Sequence, residues 1–97
     1  MHRLIEDALF TEQVAKIADI PRAREALEGI KWAISLKPED FPVLETTERL
    51  RLVKSEKLAS KNGSFVRLNV WFAMKDPHTI ELLELEIVPI PAYPYVM

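Results

Sequence analysis

Phe65-Val66-Arg67-Leu68-Asn69-Val70-Trp71-Phe72-Ala73-Met74 is the stretch that decides the fold. Val66, Leu68, Val70, Phe72 and Met74 alternate with Arg67, Asn69, Trp71 and Ala73, a period of two that makes a strand with one apolar and one mixed face. Downstream, Asp76-Pro77-His78-Thr79 has proline at the second turn position and reads as a four-residue hairpin loop. Pairing Lys75 with Ile80 then sets Phe72 opposite Leu83, Val70 opposite Leu85 and Leu68 opposite Ile87, all on the core side. The same register puts Trp71 against Glu84 and Asn69 against Glu86 on the outer side.

Upstream, a two-residue Asn62-Gly63 turn would bring Arg51 opposite Met74 on the apolar side. A three-residue Asn62-Gly63-Ser64 loop, or an equivalent bulge, sets Leu52 opposite Met74 and Leu58 opposite Leu68, and sends Arg49 and Arg51 to the outer face.

Before residue 40 the period lengthens from two to about 3.6. Ala23, Ala26, Leu27, Ile30, Ala33 and Ile34 recur at intervals of three and four, predicting an amphipathic helix that Pro21 begins and Lys37-Pro38 ends. Gly29 inside it costs about 1 kcal/mol relative to alanine, so it is expected to mark a close approach to another backbone. Thr11 reads as the N-cap of a shorter helix carrying Val14, Ile17 and Ala18. Residues 3–10 read as a short strand. The expected architecture is therefore α+β, with two N-terminal helices packed on one face of an antiparallel sheet built mostly from residues 47–88, in the order β-α-α-β-β-β.

A chain of 97 residues has room for one core, so 1–97 is read as a single domain with 89–97 as a proline-rich tail. With 48% hydrophobic and 29% charged residues it is composed as a folding domain. It has no cysteine, which excludes disulfides, thiolate nucleophiles and cysteine metal sites. Glu6 and Asp7 interrupt any signal-peptide core, and no stretch approaches the ~20 apolar residues of a membrane span, so a cytoplasmic location without membrane contact is expected. The net charge of −2 supplies no global field for a phosphate backbone.

Two glycines, Gly29 and Gly63, cannot form a phosphate loop. His2 and His78 are too few for a histidine metal site, and neither a metal nor a cofactor is expected. Glu39-Asp40 before Phe41-Pro42 reads as turn and capping chemistry. What remains is a cluster on the outer sheet face: Arg49, Arg51 and Arg67, with Asn69 and Trp71 beside them and Lys54, Lys57 and Lys61 along the hairpin. Arginine forks hold phosphate and an indole stacks a base. Glu84 and Glu86 share that face, however, and are expected to pair with Arg67 and repel a phosphate; a solvated lattice of opposite charges gives the same pattern. The apolar tail, with Tyr93 and Tyr95, is expected to dock over Trp71 and Ile80 or on a second copy. Trp32 reads as core or helix edge.

The order of elements resembles the RelE/ParE superfamily of bacterial toxins over residues 3–88. The most specific parts are Leu50-Arg51-Leu52, Phe65 to Phe72, and Ile80-Glu81-Leu82-Leu83-Glu84-Leu85. The resemblance implies a toxin-antitoxin protein neutralised by a small antitoxin, which cleaves mRNA on the ribosome or poisons DNA gyrase. On the nuclease branch it implies that Arg51 and Arg67 hold the scissile phosphate and that a C-terminal tyrosine, Tyr95 or Tyr93, assists proton transfer. Arg49, Asn69, Trp71 and Lys54 then line the binding face. The slightly acidic charge, and Val70 where the family carries an aromatic, fit a second expectation: a non-catalytic interaction domain on the same scaffold.

Overall fold

A computed structural model describes residues 1–45 and 49–91; Tyr95, with the rest of 92–97, lies outside them. It is an α+β fold in the order β1 (Arg3–Glu6), α1 (Ala8–Val14), α2 (Ala23–Leu36), β2 (Val43–Glu45), β3 (Leu50–Lys54), β4 (Leu58–Ala59), β5 (Phe65–Asp76) and β6 (Thr79–Ile90). Short 3-10 turns follow each helix, at Ala15–Ile17 and Pro38–Asp40.

The first helix starts earlier than Thr11. Asp7, in extended geometry, accepts the Leu9 N–H on its carboxylate at 3.2 Å, and so satisfies one of the donors that a helix start leaves open. Thr11 sits inside α1 with its N–H on the Asp7 carbonyl at 3.0 Å. In α2 the three-four spacing appears as the buried series Leu27, Ile30 and Ile34. Gly29 does not mark a close approach: a Cβ built there meets no atom within 4 Å.

The sheet order is β1-β6-β5-β3-β2, with β4 also on β5. It is mixed rather than antiparallel, because β1 pairs parallel with β6. The helices and β2–β5 supply the long connection that a parallel pair requires. The helices lie over one face, where Phe10, Ile17, Leu27 and Ile34 pack on Leu68, Val70, Phe72, Ile80 and Leu82.

Bulges set the register on both sides of β5. Leu68–Trp71 pair with Ile87–Glu84 as the alternation predicts, but Phe72 then faces Leu82 rather than Leu83, and Met74 faces Ile80. The cause is the adjacent Leu82-Leu83: Ile80 and Leu82 are out of phase with Leu85 and Ile87, and one extra residue lets both pairs reach the core. The turn tightens to Pro77-His78, with Asp76 opposite Thr79 and its carboxylate accepting the His78 N–H at 2.8 Å.

The other hairpin turns one residue earlier than expected, through Lys61-Asn62-Gly63, with Gly63 at φ 86° and Ser60 N–H on the Ser64 carbonyl at 2.8 Å. Leu58 faces Val66 rather than Leu68, and Leu52 faces Trp71 rather than Met74. Between them Ser55 absorbs the extra residue: it donates its N–H to the Leu68 carbonyl at 2.8 Å and accepts the Leu68 N–H on Oγ at 2.9 Å.

Candidate outer-face site

Residues opposite one another on neighbouring strands share a face, so the pairings place each candidate side chain. Lys54 faces Asn69, which faces Glu86; Leu52 faces Trp71, which faces Glu84; Arg67 faces Val88. Lys54, Arg67, Asn69 and Trp71 therefore share the outer face, away from the helices.

Arg51 does not join them. It stands opposite Phe72, whose ring is fully buried on the helix side, and its Nη1 donates to the Phe41 carbonyl. The Phe41 ring in turn meets Phe72 edge to face, centroids 6.0 Å apart. Arg51 thus clamps a loop onto the core. The Ser55 bulge is the physical reason, since the register it imposes turns Arg51 to the other side of the sheet. Arg49 is exposed in the turn leading into β3 and has φ 55°.

On the outer face the expected pairing of Glu84 and Glu86 with Arg67 is absent: among the described residues Arg67 makes no salt bridge. Glu86 instead accepts the Trp71 indole N–H at 2.7 Å and lies 3.5 Å from the Asn69 amide nitrogen. A charge-assisted bond of this length is worth roughly twice a neutral one. It lays the indole along the sheet towards Glu86 and away from its direct partner Glu84. Arg67 Nε and Asn69 Oδ1 are both shielded from solvent with no hydrogen-bond partner among the described residues.

Chemically, the face offers two carboxylates, Glu84 and the indole-held Glu86, two cations and an orphaned donor and acceptor. It lacks a second arginine converging with Arg67. No group of three or more His, Cys, Asp and Glu residues among the described ones can hold a metal ion. No described helix is long and apolar enough to cross a membrane.

A second polar cluster lies on the helix side at the sheet edge. Lys31 bonds Glu6 at 2.8 Å and stands 3.6 Å from Glu28. Partial burial pulls the Lys31 ammonium down, but the hydrogen bond and charge of Glu6, with those of Glu28, outweigh it and raise its pKa above the ordinary lysine value. The i, i+3 spacing of Glu28 and Lys31 was readable in the sequence; the long-range partner Glu6 was not. Trp32 beside this cluster is 62% exposed, neither core nor covered edge.

No protein-family model, curated protein or solved structure matches this chain significantly.

Proposed function

We propose that the chain is a RelE/ParE-like toxin-superfamily protein used for binding another protein, with a small antitoxin or a second copy as partner, in the cytoplasm. The observation that carries the binding reading over the nuclease reading is the separation of the two arginines. A phosphoryl site needs its cations to converge on one oxygen set. Here Arg51 is committed to the Phe41 carbonyl on one side of the sheet, and Arg67 lies on the other. Glu86, held in place by Trp71, adds a negative charge to the face that a phosphate would have to approach.

The catalytic alternative, an mRNA endoribonuclease acting on the ribosome, is favoured by Lys54 and Arg67 sharing the outer face; inhibition of gyrase would be a binding activity. Cleavage then runs through those two cations with Tyr95, not through Arg51.

Growth after tightly induced expression separates the readings, with soluble protein measured for the wild type, Arg67→Ala and Arg51→Ala/Arg67→Ala. The binding reading expects normal growth at good soluble levels. Arrest by wild type that Arg67→Ala alone relieves would establish a toxin acting through the outer face. Arrest that survives the double substitution would remove the arginine chemistry altogether.

A further inference from the structure

The hairpin turn between β4 and β5 gathers Ser60, Asn62, Gly63 and Ser64 at its tip. Asn62 Oδ1 accepts the Ser64 N–H at 3.1 Å and the Ser64 hydroxyl at 2.6 Å. The Ser60 hydroxyl lies within hydrogen-bond reach of both Asn62 Oδ1 and Ser64 Oγ. Because a backbone N–H can only donate, the Ser64 N–H settles which end of the amide faces into the turn: the oxygen, with Nδ2 on the other side. Asn62, Gly63 and Ser64 are exposed, so water reaches this amide.

The turn meets the requirements of one reaction. A side-chain oxygen bonded to the N–H two residues on folds the side chain back over the following peptide, which brings Asn62 Cγ towards the Gly63 nitrogen, the approach a near-attack conformer needs. Gly63 carries no Cβ to obstruct that nitrogen. Charge that develops on Oδ1 as Cγ becomes tetrahedral meets donors already aimed at it, which is how an oxyanion hole lowers a barrier. One contact opposes the reaction: the Gly63 N–H donates to the Ser60 carbonyl at 3.2 Å. That bond is at the long end of the ordinary range, and at an exposed residue solvent hydroxide competes with it.

We infer that Asn62 is a self-modification site, at which the folded turn promotes loss of the side-chain amide. Hydroxide removes the Gly63 N–H proton, the nitrogen attacks Asn62 Cγ, and the N–Cγ bond forms as Oδ1 takes the negative charge. The charge returns, the Cγ–Nδ2 bond breaks, and Nδ2 leaves as ammonia with a proton from water, regenerating hydroxide and leaving a five-membered cyclic imide. Water then opens the imide. Opening at Cγ gives aspartate; opening at the main-chain carbonyl carbon of residue 62 gives isoaspartate, whose main chain runs through Cγ and is one methylene longer. Either product sets a new carboxylate beside Lys61, which stands 4.0 Å from Asp19. Isoaspartate also lengthens the turn that Ser60 N–H and the Ser64 carbonyl close at 2.8 Å. None of this depends on what the outer face binds.

The experiment follows intact mass in mildly alkaline buffer for the amide-to-acid change, with peptide mapping to assign it. Asn69, the other asparagine of the chain, lies within β5 ahead of the β-branched Val70 and serves as internal reference. Wild type is incubated folded in buffer and unfolded in guanidinium chloride at the same pH. Asn62 is expected to convert several-fold faster in the folded chain. Ser60→Ala/Ser64→Ala, with its fold verified by circular dichroism, is expected to slow the folded rate several-fold and to leave the unfolded rate unchanged. A folded wild-type rate equal to or below the unfolded one would overturn the inference, and would mean that the Gly63 N–H bond to Ser60 protects the amide. That comparison needs no variant. A faster folded rate that the double substitution leaves unmoved would overturn the part given to the two serines.

Discussion

Ser55 Oγ accepts the Leu68 N–H at 2.9 Å while Ser55 N–H donates to the Leu68 carbonyl at 2.8 Å. One side-chain oxygen thus stands where the ladder would otherwise present a carbonyl. The residue is 8% exposed, so no water replaces the hydroxyl if it is lost. Ser55→Ala leaves the Leu68 N–H buried and unpaired, a loss of about 1–3 kcal/mol. Urea unfolding is expected to show a lower midpoint at unchanged slope; an unchanged midpoint would mean that the bulge does not rest on this hydroxyl.

That bulge also explains where sequence reading succeeds and stops. Leu68–Trp71 against Ile87–Glu84 was legible, because both strands alternate cleanly there and only one register buries both apolar sets. Arg51 was not legible, because its face depends on a bulge formed four residues later by an ordinary serine. The second bulge left a visible trace in the adjacent Leu82-Leu83, a break of phase within one strand. The direction of β1 left none, since four residues without periodicity carry no information about the strand they will join. On the outer face the proximity of Asn69, Trp71, Glu84 and Glu86 followed from register alone. The choice of Glu86 over Glu84 as indole acceptor depends on a rotamer, which pattern does not reveal.

The indole bond itself is testable. Trp71→Phe keeps the ring against the sheet but removes the donor to Glu86, leaving a part-buried carboxylate short of a partner. A loss of about 1–3 kcal/mol is expected. Glu86→Gln retains an acceptor and should cost less. In a double-mutant cycle of the two, a coupling energy of about 0.5–3 kcal/mol is expected for residues in direct contact. Additive losses would show that the indole does not depend on Glu86.

Two charged groups set expectations for pH. The Lys31 pKa is raised on folding by Glu6 and Glu28 against the pull of burial. A raised cation contributes stability that is complete below its unfolded value, 10.5, and is lost as pH climbs through the higher folded value. Lys31→Met should flatten that alkaline decline in the urea midpoint. Asp76 is lowered, chiefly by the His78 N–H. Its contribution is complete above the ordinary 3.8 and is lost as pH falls below it, so Asp76→Ala should blunt the acid side. If neither slope changes in its variant, the two clusters do not contribute to stability in those windows.

The two glycines should respond in opposite directions to the same substitution. Gly29 lies inside α2 with no atom within 4 Å of a Cβ placed there, so alanine meets no clash and removes the conformational freedom that glycine gives the unfolded chain. Gly29→Ala is expected to stabilise by about 0.4–1 kcal/mol. Gly63 has equally open surroundings but sits at φ 86° in the hairpin turn, where a Cβ crowds its own backbone and costs roughly 1–2 kcal/mol. Gly63→Ala should therefore destabilise, although nothing in the fold touches the added methyl. Thermal midpoints of the two variants give the comparison in one experiment. If Gly29→Ala lowers the midpoint as well, the added methyl meets a contact in the groove lined by Gly29, Ile30 and Val53 that this structure does not show.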